Sequence, residues 1–480
     1  MAVGGGARAD GSASSASGLG RQGLAMRPNT NDTIAAIATA PGHGAVAIVR
    51  LSGQRALIVA DAVLSGTPLS SAATHTVHVR RVTDAAGREL DEVLAVVMLA
   101  PRSYTTEDVV ELGCHGGSAA AHAVLDACLA AGARLARPGE FTERAFLGGR
   151  LDLVQAEAVA DVVGARTRAG LAAALGQLEG ALSARLADAR RDLLSYRAVV
   201  ESTVDFDADD IGDTDIEEQR RLGERVRAML EELLQGATAG AAVRDGMSAV
   251  IVGRPNVGKS TLLNALLGRD RAIVTESPGT TRDVIEETLD VAGVPVRLID
   301  TAGWRDGADA AEAAGVERSR AASRGADVVL LVFDVSVGWT QDDRRVASDL
   351  DVSRVVVVGN KCDLAAAVDV DDVVRSTRAR AGVTVSAARG DGLAGLRSII
   401  VPAGALTGET PLVTNIRHAD ALRRAAAAVG RSLDALTEGR GPEIVCEEVA
   451  AATDALGEVT GETTPDDVLR TIFERFCVGK

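Results

Sequence analysis

A glycine-rich segment between an apolar run and a helical pattern constrains this chain more than any other feature. Gly253-Arg-Pro-Asn-Val-Gly-Lys-Ser260 fits GxxxxGK[ST] and lies between the run Ala249–Val252 and the helical Thr261–Leu267. The backbone N–H groups of such a loop, with the N-terminus of the following helix, cradle phosphates. Lys259 would neutralise the β- and γ-phosphates, and the Ser260 hydroxyl would ligate Mg²⁺. The segment therefore predicts a P-loop that binds a nucleoside triphosphate.

The region around this loop, from about residue 246 to residue 403, predicts a single fold class. Valine-rich runs alternate there with helical patterns. The predicted strands are Ala249–Val252, Val296–Asp300, Val328–Asp334, Val355–Gly359 and Val383–Val385. Such alternation is typical of a mostly parallel sheet with helices on both faces. We therefore expect a Ras-like α/β P-loop domain.

Two further motifs follow predicted strands and favour GTP over ATP. Asp300-Thr-Ala-Gly303 fits DxxG, which reaches Mg²⁺ and the γ-phosphate. Asn360-Lys-Cys-Asp363 fits NKxD, and its carboxylate can accept from guanine N1–H and from the exocyclic amine. Because the carboxyl ends of parallel strands meet at one edge, motifs in this order predict a GTPase. The predicted GTP-binding residues are Asn256, Val257, Gly258, Lys259, Ser260, Thr261, Thr275, Glu276, Ser277, Pro278, Gly279, Thr280, Thr281, Asp300, Thr301, Ala302, Gly303, Asn360, Lys361, Cys362, Asp363, Ser386, Ala387 and Ala388.

The lysines of the chain point to the same motifs. Of the 51 basic residues, the only lysines are Lys259, Lys361 and Lys480. Arginine has replaced lysine almost everywhere, so the survivors mark places where a compact ammonium on a flexible stem is required, unless they remain by chance. Two of the three lie within nucleotide motifs, which argues against chance.

The residues that would support hydrolysis depart from the Ras pattern. Trp304 stands just after DxxG, where Ras-type enzymes carry the glutamine that orients water. Thr281, in the segment Thr275–Asp283, is a predicted Mg²⁺ ligand. Carbonyl and hydroxyl oxygens of this segment, with the Asn256 amide oxygen, suit a monovalent cation that balances charge beside the phosphates. Arg282 as an arginine finger in cis is the competing interpretation.

The rest of the chain divides by composition and periodicity. Residues 1–29 are rich in Ala, Gly and Ser and are predicted to be a disordered extension. Residues 30–148 predict a compact α+β domain, with strands at Ala45–Leu51 and Val93–Leu99 and a helix at Ala119–Ala131. Helical periodicity returns in residues 149–245 and 404–480, the latter with stretches at His418–Leu436 and Ile444–Phe476. This order predicts one helical domain with the P-loop domain, residues 246–403, inserted in it.

Composition excludes several classes of protein. The formal net charge is −16, so any nucleic acid must be bound by a local basic patch or brought by a partner. Aromatic residues make up 2% of the chain, which argues against a base-stacking platform for single strands. The five cysteines are scattered, which argues against a disulfide framework or a structural zinc site. No uninterrupted apolar run reaches the roughly 18 residues of a membrane span. We expect a cytoplasmic protein with no membrane partner.

The motifs resemble those of the MnmE (TrmE) family of bacterial tRNA-modification GTPases, over nearly the whole length from Asn31 to Lys480. The stretches that carry the resemblance are GRPNVGKSTLLNAL from Gly253, Pro278-Gly-Thr-Thr-Arg-Asp283, Phe476-Cys-Val-Gly-Lys480, Asn31-Asp-Thr-Ile34, Ser103-Tyr-Thr-Thr-Glu-Asp-Val-Val-Glu111, Arg137-Pro-Gly-Glu-Phe-Thr-Glu-Arg-Ala-Phe146 and Leu151-Asp-Leu-Val-Gln-Ala-Glu157. The resemblance implies a potassium-dependent GTPase whose G domains dimerise across the nucleotide during hydrolysis.

The resemblance also implies roles for single residues. Catalysis would depend on Lys259 and on Glu312, which would organise the attacking water. Mg²⁺ would be held by Ser260 and Thr281. The implied K⁺ ligands are Asn256, Thr275, Ser277 and Thr280. For Glu312 the alternative interpretation is a solvated charge on a helix.

For the N-terminal domain, the resemblance implies constitutive dimerisation and a site for 5-formyltetrahydrofolate or a related one-carbon folate. The implied folate-binding residues are Arg50, Glu111, Arg150 and Lys480. For Lys480 the alternative is a disordered last residue. Cys477 lies near this site in the sequence and is predicted to be a buried structural thiol.

The implied activity is the addition of a carboxymethylaminomethyl or aminomethyl group at C5 of the wobble uridine of certain tRNAs. The homodimer would act with a FAD-dependent partner, MnmG (GidA), in a heterotetramer. One alternative is a regulatory or ribosome-assembly GTPase without one-carbon chemistry. A second alternative is a folate-dependent transferase for which nucleotide turnover is incidental.

Overall fold

The computed structural model describes residues 32–204, 213–268, 286–300, 323–407, 410 and 412–480. These residues form two compact units. The N-terminal unit contains the described residues up to Leu147 together with Val478–Lys480, and the second unit contains Gly148–Cys477. The last three residues thus belong to the N-terminal unit, whereas the sequence analysis placed them in the helical domain. No helix in the described parts of the chain combines the length and the apolar composition needed to cross a bilayer.

The N-terminal unit is an α+β domain, as predicted. Its strands are β1 (Ile34–Ile37), β2 (Val46–Ser52), β3 (Thr76–Thr83), β4 (Glu89–Met98), β5 (Val109–His115) and β6 (Arg134–Leu135). Its helices are α1 (Ala56–Val63), α2 (Ser118–Ala130) and α3 (Glu140–Leu147). The strands form one sheet in the order β3-β4-β5-β2-β1-β6, in which only the β1–β6 pair is parallel. Apolar residues of α1 and α2 cover one face of this sheet.

The opposite face of this sheet is covered at β1, where Ile34 and Ala36 pack with Phe141 of α3, and is exposed at β3 and β4. Val77 and Val79 of β3 are 59% and 60% exposed, and Leu94, the partner of Val79 on β4, is 52% exposed. Alternate residues of a strand point to opposite faces, and the register places these three side chains on the face away from α1 and α2. The N-terminal unit therefore has an exposed apolar patch on β3 and β4, formed by these three side chains.

Helices on both sides of the P-loop domain form one bundle in the second unit. They are α4 (Leu153–Gly164), α5 (Arg168–Leu178), α6 (Ala181–Val204), α7 (Asp213–Gln235) and α8 (Ala237–Asp245) before the domain. After the domain come residues Ile416–Thr437, Pro442–Thr460 and Asp466–Phe473, which are α13, α14 and α15 in chain order. Leucine, valine and alanine side chains of α6, α7, α13 and α14 share one core, so the two helical segments make a single domain.

A buried charge cluster also ties α4 to α13. Glu157 accepts hydrogen bonds from Nε2 of His418 at 2.5 Å and from Nη2 of Arg417 at 2.8 Å. Burial by itself would raise the pKa of Glu157, but the bonds from His418 and Arg417 outweigh burial and lower the pKa to about 2. The ionised carboxylate therefore has its compensating partners on the other helical segment.

The P-loop domain has the predicted architecture. Its strands are β7 (Met247–Val252), β8 (Glu286–Val291), β9 (Val294–Asp300), β10 (Val328–Asp334), β11 (Val355–Asn360) and β12 (Ala381–Val385). Its described helices are α9 (Lys259–Leu267), α10 (Gln341–Ser348), α11 (Val370–Thr377) and α12 (Leu393–Ile400). The sheet order is β12-β11-β10-β7-β9-β8, and only β8 is antiparallel to its neighbour. The predicted mostly parallel sheet is confirmed.

Continuous apolar strands produce this layered arrangement. Every residue of β10 and β11 is buried, so both faces of the sheet must be covered. Leucines of α9 and α12 cover one face, and valines of α11 cover the other. Since β9, β7, β10 and β11 are parallel neighbours, the loops that follow them meet at one edge of the sheet, which is where the sequence motifs lie.

Candidate nucleotide-binding site

The loop from Gly253 to Gly258 leaves β7 and leads into α9, and two of its glycines are required by close packing. Gly253 has φ +149°, and a Cβ atom there would lie 2.2 Å from the carbonyl oxygen of Val332. Gly258 has φ +95°, and a Cβ atom there would lie 2.3 Å from Nδ2 of Asn360. The loop therefore runs so close to the neighbouring elements that only glycine fits at these positions.

The P-loop lysine lies against the loop itself. Nζ of Lys259 donates to the carbonyl oxygens of Gly253 and Arg254 at 2.8 and 2.9 Å. Lys259 and Ser260 are the first two residues of α9, and Ser260 is exposed. An ammonium group in the first turn of a helix is positioned to bind phosphate oxygens.

The first two residues of the NKxD motif are bound to the P-loop backbone. Asn360, at the end of β11, donates from Nδ2 to the carbonyl oxygen of Val257 at 2.8 Å and accepts from the Ala387 N–H at 3.0 Å. Lys361 donates from Nζ to the carbonyl oxygen of Asn256 at 3.2 Å. Nζ of Lys361 also lies 2.6 Å from the Asp334 carboxylate. The motif thus joins the P-loop to the loops after β10 and β12.

Asp363 presents an ionised carboxylate at the same edge. The Ser386 hydroxyl donates to Oδ1 of Asp363 at 2.7 Å, and this bond holds the pKa of Asp363 below its usual value. Cys362 and Ala388 beside it are exposed, whereas Ala387 is buried. A carboxylate that accepts hydrogen bonds at neutral pH suits the two donors on the Watson–Crick edge of guanine.

Part of the predicted site lies outside the described residues. Asp300 is the last residue of β9, where it pairs in register with Ile251 of β7, so it lies beside the strand that leads into the P-loop. The predicted site residues outside the described part are Thr275, Glu276, Ser277, Pro278, Gly279, Thr280, Thr281, Thr301, Ala302, Gly303 and Glu312, and so are Arg282 and Trp304. These assignments stay predictions.

Three of the four predicted folate-binding residues are connected in the N-terminal unit. Nε of Arg50 donates to Glu111 across the β2–β5 pair at 2.7 Å. Nη1 of Arg50 donates to the carbonyl oxygen of Gly479 at 3.2 Å, and the carbonyl oxygen of Lys480 accepts from the Phe141 N–H at 3.2 Å. The Arg50 guanidinium also lies 5.4 Å from the Phe141 ring centroid. The end of the chain is therefore bound next to the Arg50–Glu111 pair.

Arg150, the fourth predicted folate-binding residue, and Cys477 belong to the second unit. Arg150 is an exposed residue that precedes α4. Cys477 is also exposed, so the prediction of a buried structural thiol is wrong. The difference arises because Cys477 follows α15 and lies outside the apolar bundle core.

One ion pair next to the P-loop was missed from the sequence. Asp343 of α10 is 1% exposed, and its Oδ1 lies 3.3 Å from Nε of Arg254. The run Gln341-Asp-Asp-Arg-Arg345 has the pattern of a solvated helix face. Thr340 and Asp343 fit the capping-box spacing, and that signal identifies the start of α10. Nothing in the sequence indicates that this helix start packs against the P-loop.

Comparisons with known proteins agree with this arrangement. A family model described as "MnmE helical domain" matches residues 153–477, and one described as "GTP-binding protein TrmE N-terminus" matches residues 33–150. A tRNA modification GTPase MnmE of Heliobacterium modesticaldum is 45% identical over 94% of this chain and 99% of its own length. The protein of the same name from Geobacter sulfurreducens is 47% identical, with the same coverage of both chains.

Two solved structures are similar to part of this chain. The G domain of the T. maritima FeoB iron transporter is 25% identical over 32% of this chain and 96% of that one, with a TM-score of 0.25. Aquifex aeolicus Era bound to GDP.AlF4- is 27% identical over 38% of this chain and 66% of that one, with a TM-score of 0.27. The two family models and the end-to-end identity to the relatives decide the assignment, and this chain belongs to the MnmE family of tRNA modification GTPases.

Proposed function

We propose that this GTPase acts with a FAD-dependent MnmG-type partner to add a carboxymethylaminomethyl or aminomethyl group at C5 of the wobble uridine of certain tRNAs. The observation that carries the nucleotide part of the proposal is the NKxD motif, whose Asn360 and Lys361 bind the P-loop backbone while Asp363 stays ionised beside them. Such an arrangement holds a guanine base and a triphosphate in one site. We place the protein in the cytoplasm, where its tRNA substrate is found.

GTP and Mg²⁺ fit the donors that the described residues offer. Lys259 would exchange its two loop carbonyls for phosphate oxygens, and the exposed hydroxyl of Ser260 would ligate Mg²⁺ with Thr281 as the second protein ligand. Glu312 would orient the attacking water in place of the glutamine of Ras-type enzymes. The Lys259 ammonium would thus stabilise the negative charge that develops on the phosphate oxygens as the phosphoryl group is transferred.

The proposed K⁺ site takes oxygen ligands from Asn256, Thr275, Ser277 and Thr280. Asn256 is exposed, and its backbone has φ +62° because the P-loop turns sharply there. Its main-chain oxygen is engaged by Lys361, so its side-chain amide oxygen is the atom available to a hard cation. Bound there, K⁺ would supply the positive charge that an arginine finger supplies elsewhere.

GTP hydrolysis is expected to be at least about tenfold faster in KCl than in NaCl at equal ionic strength, since only the larger ion would fill a site built to its size. Asn256→Ala should remove the difference between the two salts. Asn256→Gly serves as a second variant, because glycine adopts the positive φ without strain and also lacks the amide. Equal rates of the unmodified protein in the two salts would exclude the K⁺ site.

The folate proposal depends on the Arg50–Glu111 pair and the chain end beside it. The side chains of Arg50 and Glu111 are 18% and 22% exposed, so a ligand reaches them from solvent. A carboxylate suits the donor edge of a pterin, and cations suit the glutamate tail of a folate. Lys480 and Arg150 would supply those cations, and the partly buried Arg50 would orient Glu111.

Lys480→Met is expected to weaken binding of 5-formyltetrahydrofolate at least about tenfold, because one charge-assisted contact to the tail is lost. Methionine keeps the main-chain bond from Phe141 to the last carbonyl, so the end of the chain stays in place. Titration calorimetry measures the affinity, and Arg88→Ala, at an exposed residue of the same unit, is the control. Unchanged affinity of the Lys480 variant would remove this residue from the site.

The proposed assembly is a homodimer that binds two copies of the FAD-dependent partner. The exposed apolar patch on β3 and β4 supports constitutive dimerisation, since Val77, Val79 and Leu94 expose apolar surface that a second copy would cover. The G domains would meet and separate during each GTP cycle. Because each chain carries a net charge of −16, the homodimer would depend on its partner for much of the tRNA affinity.

Nucleoside analysis of tRNA from a strain that lacks this gene tests the proposal as a whole. The modified wobble uridine should disappear from the strain and return when the gene is restored. Restoration of a normal nucleoside profile by an unrelated GTPase gene would not be expected. If the strain retains its full set of modified wobble uridines, the tRNA-modification proposal is wrong.

A further inference from the structure

The P-loop needs side chains to hold its shape, because its backbone is unusual at several positions. Gly253, Asn256 and Gly258 all have positive φ values, of +149°, +62° and +95°. A loop rich in such conformations loses much backbone freedom when it is ordered for phosphate binding. Any contact that orders the loop before the nucleotide arrives therefore raises nucleotide affinity.

The contacts of the second half of the loop are independent of the phosphates. The carbonyl oxygens of Val257 and Asn256 accept from Asn360 and Lys361, which belong to the NKxD motif. These bonds do not involve the P-loop lysine. The second half of the loop is therefore held with or without a bound nucleotide.

The first half of the loop is held differently. The carbonyl oxygens of Gly253 and Arg254 accept from Nζ of Lys259, and this ammonium is the group that the phosphates are proposed to take. When Lys259 turns to the phosphates, these two bonds are lost. The side chain of Arg254 then still connects the first half of the loop to α10.

The Arg254 side chain contacts a carboxylate on the neighbouring element. Nε of Arg254 lies 3.3 Å from Oδ1 of Asp343, an ion pair without hydrogen-bond geometry among the described residues. The other oxygen of Asp343 accepts from the Thr340 N–H at 3.0 Å and from its hydroxyl at 2.7 Å. Asp343 is 1% exposed, so its charge needs a cation and Arg254 provides one.

The strand order explains why this pair forms. β7 and β10 are parallel neighbours, with Val252 in register with Leu331, so the loop after β7 and the helix after β10 begin at the same edge. Asp343 lies in the first turn of α10, and Thr340 caps that helix. The pair therefore anchors the P-loop to a rigid helix start.

We propose that Asp343 is a positioning residue for nucleotide binding, which acts through Arg254 to hold the first half of the P-loop in its phosphate-binding shape. This inference rests on the proposed nucleotide site. It assigns Asp343 no contact with GTP and no part in the hydrolysis step. Loss of the Asp343 carboxylate should therefore weaken the affinity for guanine nucleotides while leaving the rate at saturating GTP nearly unchanged.

The test compares Asp343→Asn with Asp342→Asn in the full-length protein, using a fluorescent GDP derivative for affinity and GTP turnover for rate. Asparagine keeps the carbonyl that caps α10 but turns an amide donor toward Arg254. The Kd should rise about tenfold (about 1.4 kcal/mol) with kcat within about twofold. Asp342 is an exposed neighbour in the same helix turn, so its variant should match the unmodified protein.

A second comparison separates positioning from general damage to the fold. In Arg254→Gln/Asp343→Asn the glutamine oxygen can accept from the asparagine amide, so affinity should recover relative to Arg254→Gln alone. Unchanged Kd in Asp343→Asn, or a double variant no tighter than Arg254→Gln, overturns the inference. A lower kcat in Arg254→Gln with normal behaviour of Asp343→Asn also overturns it, since Arg254 would then act directly. Failure of the unmodified protein to bind GDP would instead refute the nucleotide site.

Discussion

Lys259→Ala is expected to lower kcat/KM for GTP hydrolysis at least about a hundredfold and to abolish tRNA modification. The Lys259 ammonium lies beside the loop carbonyls of Gly253 and Arg254. It is the only lysine of α9, the helix that follows the loop, so no second ammonium on this helix can replace it. Removing one preorganised donor from an oxyanion hole typically costs about 10²–10³ in rate, and an ammonium that meets the transferred phosphoryl group has the same electrostatic role. Steady-state GTPase assays and nucleoside analysis of a complemented deletion strain measure the two effects.

Two further variants sharpen this result. Lys259→Arg keeps the charge but replaces a flexible point charge with a planar fork, so it should remain strongly impaired. Arg375→Ala changes an exposed residue of α11 in the same domain and should behave like the unmodified protein. Normal tRNA modification by Lys259→Ala would mean that nucleotide turnover is incidental, as in the folate-dependent transferase considered above.

Asp363→Asn is expected to weaken GTP binding at least about a hundredfold and to raise the affinity for xanthosine triphosphate. The ionised Asp363 accepts from two guanine donors, and each hydrogen bond to a charged group contributes about 1.5–3 kcal/mol. An asparagine turns one of these acceptors into a donor, which would face the exocyclic amine of guanine unfavourably. The same donor matches the additional carbonyl oxygen of xanthine.

Competition of the two triphosphates against a fluorescent GDP derivative measures this change in base preference. Asp372→Asn, at an exposed residue of α11, is the matched control and should leave the preference for GTP intact. If Asp363→Asn binds GTP as tightly as the unmodified protein does, the assignment of Asp363 to the guanine base is wrong.

Much of the P-loop domain could be predicted because its signals are local. Predicted strands such as Val328–Asp334 coincide with observed strands, since a fully apolar run of this length suits a strand buried on both faces.

In the helical domain, the predicted helix at His418–Leu436 agrees with α13 to within two residues. The stretch Ile444–Phe476 is instead two helices, because Gly461 ends α14 in a left-handed conformation at φ +93°.

By itself, the sequence determined the class of nucleotide, the alternation of strands and helices, and which loops carry polar groups at the ends of strands. These properties depend on residue type and on short-range periodicity. The tertiary structure alone decided that Asn360 and Lys361 bind the P-loop backbone, that Asp343 is buried against Arg254, and that the chain end lies beside Arg50. Each of these contacts joins residues about 90 to 430 positions apart, and strand order, which no local pattern encodes, brings such distant segments to one edge or one face.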